Sequence, residues 1–409
     1  VAAVDATRIE PLPEQAETLR STIPPRSDLA RTFGADLSAT RRPSLIASLS
    51  GSAGPLPDRY EEGRVLGKGG MGVVVLATDR DLARSVAVKK LDAGSNGPEL
   101  VDRFLREAQV TAQLEHPGIL PVHDVGVDDQ GHFFYVMRLV KGDRTLRRLI
   151  DRLRAGDPEA HREFTFQRRA QLVQQVARIL HYAHAKGVIH RDVKPENIML
   201  GSFGEVYLVD WGLAKVAGAE DGPTTPGLGG APDDQTSTRV GSIVGTPRYM
   251  APEQANGESA TALSDVYSLT AVLYELLSLR HYLDGGEASP SLEKLIQRIV
   301  TAPHVRANAH YDPTNGRVPQ HLSFICDRGL AKKPGDRFQS AEQLEVALED
   351  WLEGVGPIVC PVTFQLRLMT LYRRAIETHP TLTGFLSFFL PLGLLLAYGG
   401  FRLYGFLVR

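Results

Sequence analysis

The chain has 409 residues with 46 Lys+Arg against 48 Asp+Glu, a formal charge of −2 that argues against a protein built to coat nucleic acid. Its 39 glycines and 26 prolines are too few for a collagenous or wholly disordered chain. Cys326 and Cys360 are the two cysteines, too few for a disulfide scaffold, so a reducing compartment is the default.

Residues 1–57 read as a disordered tail, because Pro11, Pro13, Pro24, Pro25, Pro43, Pro55 and Pro57 interrupt every helical stretch. No basic start followed by an apolar core marks a secretory signal. The opening residue is Val1, which suggests a fragment or an alternative start codon read literally. From Tyr60 the pattern becomes globular. Arg64–Leu66 and Val73–Ala77 are predicted as strands flanking a glycine cluster, and Val86–Leu91 as a third. Leu100–Leu114 has helical spacing, with Val101, Leu105, Ala108 and Ala112 on one face, and Phe133–Val140 reads as another strand. Beyond Lys141 the expected elements are mostly helices, over Leu172–His184, Ser264–Leu279, Leu292–Val300, Leu322–Leu330 and Ala341–Trp351. A strand-rich front followed by a helix-rich back implies two lobes of different class.

The stretch from Pro380 to Phe401 has no charged residue over 22 positions. As a helix it would extend about 33 Å against a hydrocarbon core of roughly 30 Å. Pro391 and four glycines suit a membrane helix better than a soluble one. A membrane span is therefore expected over 380–401. Arg367, Arg373 and Arg374 before it, against Arg402 and Arg409 after it, favour a cytoplasmic N-terminal side.

Gly67-Lys68-Gly69-Gly70-Met71-Gly72-Val73-Val74 fits G-x-G-x-x-G, a pattern shared by unrelated nucleotide-binding folds. A dinucleotide-binding reading finds an acid, Asp92, twenty residues after Gly72, but it requires a helix over 73–83. Val73-Val74-Val75-Leu76 favours a strand instead, hence a glycine hairpin between two strands. A Walker A loop fails as well: Gly63 is one residue too near Gly67-Lys68, and Gly69 stands where Ser or Thr is required. The loop alone leaves the choice open.

Later residues narrow it. Val86-Ala87-Val88-Lys89 places a lysine on the strand after the hairpin, and Arg106-Glu107-Ala108 puts a glutamate in the next helix. His190-Arg191-Asp192-Val193-Lys194-Pro195-Glu196-Asn197 follows an apolar run, and thirteen residues past Asn197 comes Asp210-Trp211-Gly212. Ala251-Pro252-Glu253, Asp265 at the start of an apolar helix and Arg337 complete the order. This series resembles the Hanks-type protein kinases over residues 60–353, and most of all the bacterial membrane-attached serine/threonine kinases, which share Gly-Gly-Met-Gly and Pro-Glu-Gln-Ala.

The resemblance implies an α+β, two-lobed protein kinase fold, with a β-rich N-lobe over 58–140 and an α-helical C-lobe over 141–355. A juxtamembrane segment (356–379), a C-terminal transmembrane helix (380–401) and a short tail (402–409) would follow. It also implies ATP and Mg²⁺, or Mn²⁺, as cofactors. The backbone of Leu66, Gly67, Lys68, Gly69, Gly70, Met71, Gly72, Val73 and Val74 would cover the phosphates and base, together with Ala87. Met137 would stand as gatekeeper, with Arg138 and Val140 offering backbone groups to adenine. Lys89, held by Glu107, would contact the α- and β-phosphates, and Asn197 and Asp210 would ligate metal through hard oxygen atoms. Asp192 would accept the substrate hydroxyl proton, with Lys194 offsetting charge on the γ-phosphate. Lys194 two residues after Asp192, and Thr246 in Gly245-Thr246-Pro247, match the serine/threonine pattern. Glu253 would pair with Arg337, and Asp265 would anchor the catalytic loop. Trp211 replaces the usual Phe and brings an N–H that wants a partner. Thr270 stands where Gly is usual.

Other features have plainer readings. His181 and His184 lie three apart on a helix, but no Cys, Asp or Glu nearby completes a metal set, so ordinary packing is expected. Cys326 reads as a small core residue and Cys360 as an unmodified one. Arg41-Arg42-Pro43-Ser44 resembles a basophilic phosphorylation site, which chance explains at least as well in a tail rich in Arg and Ser. Between Asp210 and Glu253 an insertion of Gly, Pro, Thr and Asp covers roughly 218–238. Phosphate added at Thr236 or Thr238, or at Ser237, Thr224 or Thr225, would pair with Arg191 and order the segment.

The sequence thus reads as a kinase for protein Ser/Thr hydroxyls in bacterial signal transduction. It would autophosphorylate, self-associate for that step, and face the cytosol from the inner membrane. No nucleic-acid partner is expected. With eight residues after Phe401, the chain reads as tail-anchored or truncated. The rival readings are a pseudokinase scaffold, which should lack Lys89, Asp192 or Asp210, a small-molecule phosphotransferase, and a membrane adaptor.

Overall fold

The computed structural model describes residues 59–69, 72–91, 97–128, 130–142, 144–216, 247–284, 291–312 and 314–354. The tail, Gly70, Met71, the insertion with its Thr and Ser sites, Thr246 and the apolar run 380–401 lie outside these residues. Among the described residues no helix is long and apolar enough to cross a membrane.

β1 (Tyr60–Gly69), β2 (Gly72–Asp79), β3 (Arg84–Leu91), β4 (Val122–Val127) and β5 (Phe133–Arg138) form one antiparallel sheet in the order β1-β2-β3-β5-β4. β-Branched residues fill its centre because they suit a pleated surface with buried neighbours on both sides. Val86, Val88, Phe134 and Val136 pack on one face with Tyr60, Val75 and Ala77. Leu91 and Tyr135 point the other way, against Val101, Phe104, Leu105 and Ala108 of α1 (Pro98–Gln113). The expected hairpin is present: Gly69 pairs with Gly72, and residues 72–79 are strand. That excludes the dinucleotide-binding reading, which needs a helix there.

The sequence reading is corrected at several ends. The first strand runs over ten residues rather than three, with irregular register between Glu62 and Gly67. The fifth stops at Arg138 instead of Val140. β4 was not expected, and neither were α2 (Leu146–Arg154) and α3 (Pro158–Glu163).

The remaining elements are α4 (Phe166–Ala185), α5 (Pro252–Ala255), α6 (Ala262–Ser278), α7 (Leu292–Thr301), α8 (Gln320–Gly329) and α9 (Ala341–Leu352). Short ladders accompany them: β6 (Val188–Ile189) with β9 (Lys215–Val216), β7 (Ile198–Leu200) with β8 (Val206–Leu208), and β10 (Tyr311–Asp312) with β11 (Gly316–Arg317). α6 is the axis of the lobe, with every residue from 264 to 277 buried. Its buried polar groups all have partners, as a dry interior requires. Ser264 donates to Glu253, Ser268 to the Tyr249 carbonyl and Thr270 to the Val266 carbonyl. Cys326 is fully buried, as expected.

Candidate active site

The loop after β6 is held from below by α6. Asp265, 1 % exposed, accepts from the backbone N–H of His190 and of Arg191, each at 2.8 Å. Burial pushes its carboxyl up, but the His184 hydrogen bond at 2.8 Å and the backbone N–H groups outweigh that and hold it below the ordinary range. His184 is therefore more than packing: it orients the carboxylate that anchors the loop. Among the described residues no group of three or more His, Cys or acidic side chains could hold a metal ion.

That anchor supports strained backbone. Arg191 has φ +70° and Asp210 φ +66°, left-handed values unusual for residues with a Cβ. Each such conformation stores about 1–3 kcal/mol and persists only where the surroundings enforce it. His190 links the two strained segments. Its Nδ1 accepts from the Asp192 N–H at 3.3 Å, so the proton sits on Nε2, which donates to the Val209 carbonyl at 3.1 Å. The Val209 N–H in turn donates to the Asn197 carbonyl at 2.9 Å. The Trp211 indole, 2 % exposed, packs 4.6 Å from the His190 ring and donates to the Leu208 carbonyl at 3.3 Å. The N–H that wanted a partner has one.

The loop presents a compact polar group. Lys194 Nζ lies 2.5 Å from Asp192 Oδ2, and Asn197 Nδ2 donates to the same oxygen at 3.1 Å and to the Asp192 carbonyl at 2.9 Å. From the sheet, Lys89 Nζ reaches Glu107 Oε1 on α1 at 2.6 Å and Asp210 Oδ1 at 3.7 Å. Burial disfavours charge on both partners and pushes the Glu107 carboxyl up. On Lys89 the Glu107 and Asp210 carboxylates outweigh burial and hold the ammonium above its ordinary value. Lys89, Glu107 and Asp210 thus come together between the lobes, while Asp192, Lys194 and Asn197 gather on the loop beneath.

The glycine-rich hairpin divides into two kinds of position. A Cβ on Gly72 would sit 2.0 Å from the Lys90 carbonyl, so β3 alone requires a glycine there. Among the described residues a Cβ on Gly67 would meet nothing within 4 Å, and one on Gly69 only the Gly72 carbonyl at 3.9 Å. Packing of the chain on itself explains neither, whereas close approach of a phosphate to the backbone does. Lys68 is exposed, and Leu66, Val73 and Val74 are half-buried along the same hairpin. At the rear, Ala87 is buried opposite Met137. The Arg138 N–H donates to the Pro121 carbonyl at 3.2 Å, so its carbonyl is the group able to meet a base, next to half-buried Val140.

The donor set also fits a divalent cation. Asp210 offers carboxylate oxygens, and Asn197 has its amide nitrogen committed to Asp192, which leaves the amide oxygen as the end able to ligate. Hard oxygen donors of this kind suit Mg²⁺, which keeps waters and binds through few protein ligands.

Sequence reasoning missed two sets of residues. Tyr135 donates to Glu107 Oε1 at 2.6 Å, and the sequence signal was its place two residues before Met137 on the strand beside Lys89. Arg147 and Arg154 converge on buried Glu275, with Arg147 also 2.8 Å from Glu196. Tyr249 completes this cluster with a hydrogen bond to Glu275. These residues line a cavity of about 500 Å³ beside Lys194. No local pattern marks them, because their partners lie 26 to 128 residues away.

Comparison with known proteins agrees with this geometry. The family model of the protein kinase domain matches residues 60–348. The serine/threonine-protein kinase PknD of Protochlamydia amoebophila is 35 % identical over 317 residues, covering 74 % of this chain and 31 % of that protein. PknD of Chlamydia trachomatis serovar L2b is 35 % identical over 312 residues, covering 72 % of this chain and 32 % of its own length. A probable serine/threonine-protein kinase of Streptomyces coelicolor, SCO3848, is 36 % identical over 303 residues, covering 73 % and 41 %. The match thus spans less than half the length of each of these relatives. With the fold and the family model in agreement over most of its length, the chain belongs to the bacterial Hanks-type branch of the protein kinase family.

Proposed function

We propose that this chain transfers the γ-phosphoryl group of Mg·ATP to serine and threonine hydroxyls of proteins, including its own. One observation carries the reading: Lys89 lies 2.6 Å from Glu107 and 3.7 Å from Asp210, so the sheet, the helix and the Asp210 segment already share one charged centre. Phosphoryl transfer asks for positioning and charge neutralisation more than for covalent chemistry. Lys89 supplies a buried positive charge for the phosphates, oriented by Glu107. Gly67 and Gly69 let the hairpin backbone close on them. Asp210 and Asn197 would hold Mg²⁺, which neutralises phosphate charge when bound. Asp192, fixed by Asn197 and Lys194, accepts the proton of the attacking hydroxyl. Lys194 then offsets charge on the group in transfer.

The test is phosphate transfer from labelled ATP with Mg²⁺ by the full chain, with Asp192→Asn as control. Label on the chain or on a generic protein substrate, absent from the control, is the expected result. No transfer by the unmutated chain would refute the reading. Mapping the label tests Thr236 and Thr238 as switch sites. Attachment to the bacterial inner membrane through residues 380–401, with the lobes in the cytosol, belongs to the same proposal and rests on 22 uncharged positions. Fractionating cells that carry the chain with and without residues 380–409 checks it: the shortened form should leave the membrane fraction.

A further inference from the structure

Lys89 on β3 and Tyr135 on β5 are direct cross-strand partners, so their side chains leave the sheet side by side on the face that meets α1. Both end on one atom. Glu107 Oε1 receives Lys89 Nζ at 2.6 Å and the Tyr135 hydroxyl at 2.6 Å. Tyr135 is 3 % exposed, its ring lies 5.2 Å from that of Phe104, and the Lys89 ammonium stands 5.9 Å from its ring centre. The tyrosine is therefore fixed on two sides, by the strand that carries it and by α1, before its hydroxyl is considered.

We propose that Tyr135 is a positioning residue for phosphoryl transfer, tethering Glu107 from the sheet so that Glu107 presents itself to Lys89. The inference rests on the kinase reading above and adds a residue that reading does not need. Its physics is that of a helix able to move as a unit. With Lys89 alone, the inward position of α1 depends on an ion pair whose lysine must also serve the phosphates. A hydroxyl on β5 has no such second task and binds Glu107 whether or not Lys89 is engaged elsewhere. Among the described residues Glu107 Oε2 has no hydrogen-bond partner, so Oε1 holds the carboxylate's direct contacts to the sheet. Burial and the Glu107 carboxylate also push the Tyr135 hydroxyl well above its ordinary range, so it remains a donor at any working pH.

The experiment measures kcat and KM for ATP with the full chain, its Tyr135→Phe variant, Glu107→Gln and the double variant, alongside thermal melting of each. Tyr135→Phe keeps the ring and its packing on Phe104. The expected result is a fall in kcat of about tenfold, the scale of a lost hydrogen bond to a charged group. KM for ATP should stay within about twofold, since the tether acts through Glu107 rather than on the nucleotide. In the Glu107→Gln background, Tyr135→Phe should lower kcat by less than about twofold, because the group it positions has changed. An unchanged kcat in Tyr135→Phe, or an undiminished further loss on top of Glu107→Gln, overturns the proposal while leaving the kinase reading intact. A fall in kcat that tracks a loss of folded protein in the melting curves also overturns it, as a merely structural role. An unmutated chain that transfers no phosphate takes both readings down.

Discussion

Arg337 grips Glu253 across 84 residues of sequence with two hydrogen bonds, Nη1 to Oε1 at 2.8 Å and Nη2 to Oε2 at 2.7 Å, and its side chain is fully buried. The guanidinium also donates to the carbonyls of Ala331, Leu263 and Lys332, and Ser264 donates to Glu253. Glu253 lies in the first turn of α5, and Arg337 precedes α9, so this pair fixes the far end of the C-lobe to the platform beside the catalytic loop. Removing one partner leaves the other charge buried alone. Glu253→Gln or Arg337→Met should each destabilise the fold by about 3–5 kcal/mol. The double variant should lose less than the sum, which urea unfolding of the four proteins reads directly.

The two kinds of glycine in the hairpin separate folding from nucleotide binding. At Gly72 a Cβ would lie 2.0 Å from the Lys90 carbonyl, so Gly72→Ala must push β2 away from β3. The expected loss is about 1–3 kcal/mol of stability, the usual range for overpacking. No described residue lies within 4 Å of a Cβ on Gly67, and Gly67→Ala should leave the melting temperature unchanged while raising KM for ATP several-fold. A nucleotide titration beside a melting curve distinguishes the two. A stability loss at Gly67 equal to that at Gly72 would contradict the assignment.

Acid should loosen the C-lobe from a definite pH downward. Burial holds the His281 imidazole down at about 3 against an ordinary 6.5, so the folded state keeps it neutral while the unfolded chain protonates. Glu275 is pushed up by burial, but Arg147 outweighs that and draws it down to about 2 against 4.5. Both groups are depressed in the folded state. Their stabilisation is whole above the unfolded values and is lost as pH falls through the folded ones. The urea midpoint should therefore begin to drop below pH 6.5 and fall more steeply below 4.5. His281→Asn should flatten the upper part of that curve. A midpoint that rises between pH 6.5 and 5 would contradict the assignment of His281.

The Trp211 hydrogen bond gives a sharper test of the residue that departs from the family's usual Phe. Its indole donates to the Leu208 carbonyl at 3.3 Å inside the core and packs tilted against the His190 ring. Trp211→Phe removes the donor and part of the ring, leaving the Leu208 carbonyl one partner poorer. The expected destabilisation is about 1–3 kcal/mol, with phosphate transfer retained because the site's charged groups are untouched. Melting and transfer rates measured on the same samples check both halves.

Sequence was most readable where burial repeats locally. The β-branched runs at Val73–Ala77 and Val86–Leu91 lie within observed strands, and the apolar periods of α6 and α9 locate those helices to within two residues. It failed where a buried position carries a polar residue whose partner is remote. Arg169 is fully buried in α4, donating to the Phe164 and Leu276 carbonyls and to Asp312. An arginine there breaks the apolar period, and α4 was expected to begin at Leu172 instead of Phe166. In α2, Leu146, Leu149, Ile150 and Leu153 do have helical spacing behind a Thr145 cap, but arginines occupy much of the rest. β4 buries few side chains deeply, and its Gly126 is there because a Cβ would meet the Phe134 ring at 2.7 Å. The motif residues were legible by type and spacing. Their hydrogen-bond partners were not, since Tyr135, His184 and Tyr249 owe their roles to contacts that only the fold creates.

Thr270 explains its own departure from glycine. Its side chain lies against Gly329 of α8, where an added Cβ would stand 2.2 Å from Thr270 Oγ1, 2.6 Å from Cγ2 and 2.8 Å from Cβ. Its hydroxyl is satisfied by the Val266 carbonyl at 2.7 Å. The space that a glycine on α6 would leave is thus taken by the threonine, and Gly329 on the facing helix leaves room for it. Gly329→Ala should destabilise the fold by about 1–3 kcal/mol, because neither helix can retreat from a close-packed core. Adding Thr270→Gly clears the clash but introduces a glycine into a helix interior, at a cost of about 1 kcal/mol. The double variant should therefore recover part of the loss. Equal melting temperatures for Gly329→Ala and the double variant would show that the two side chains do not share this space.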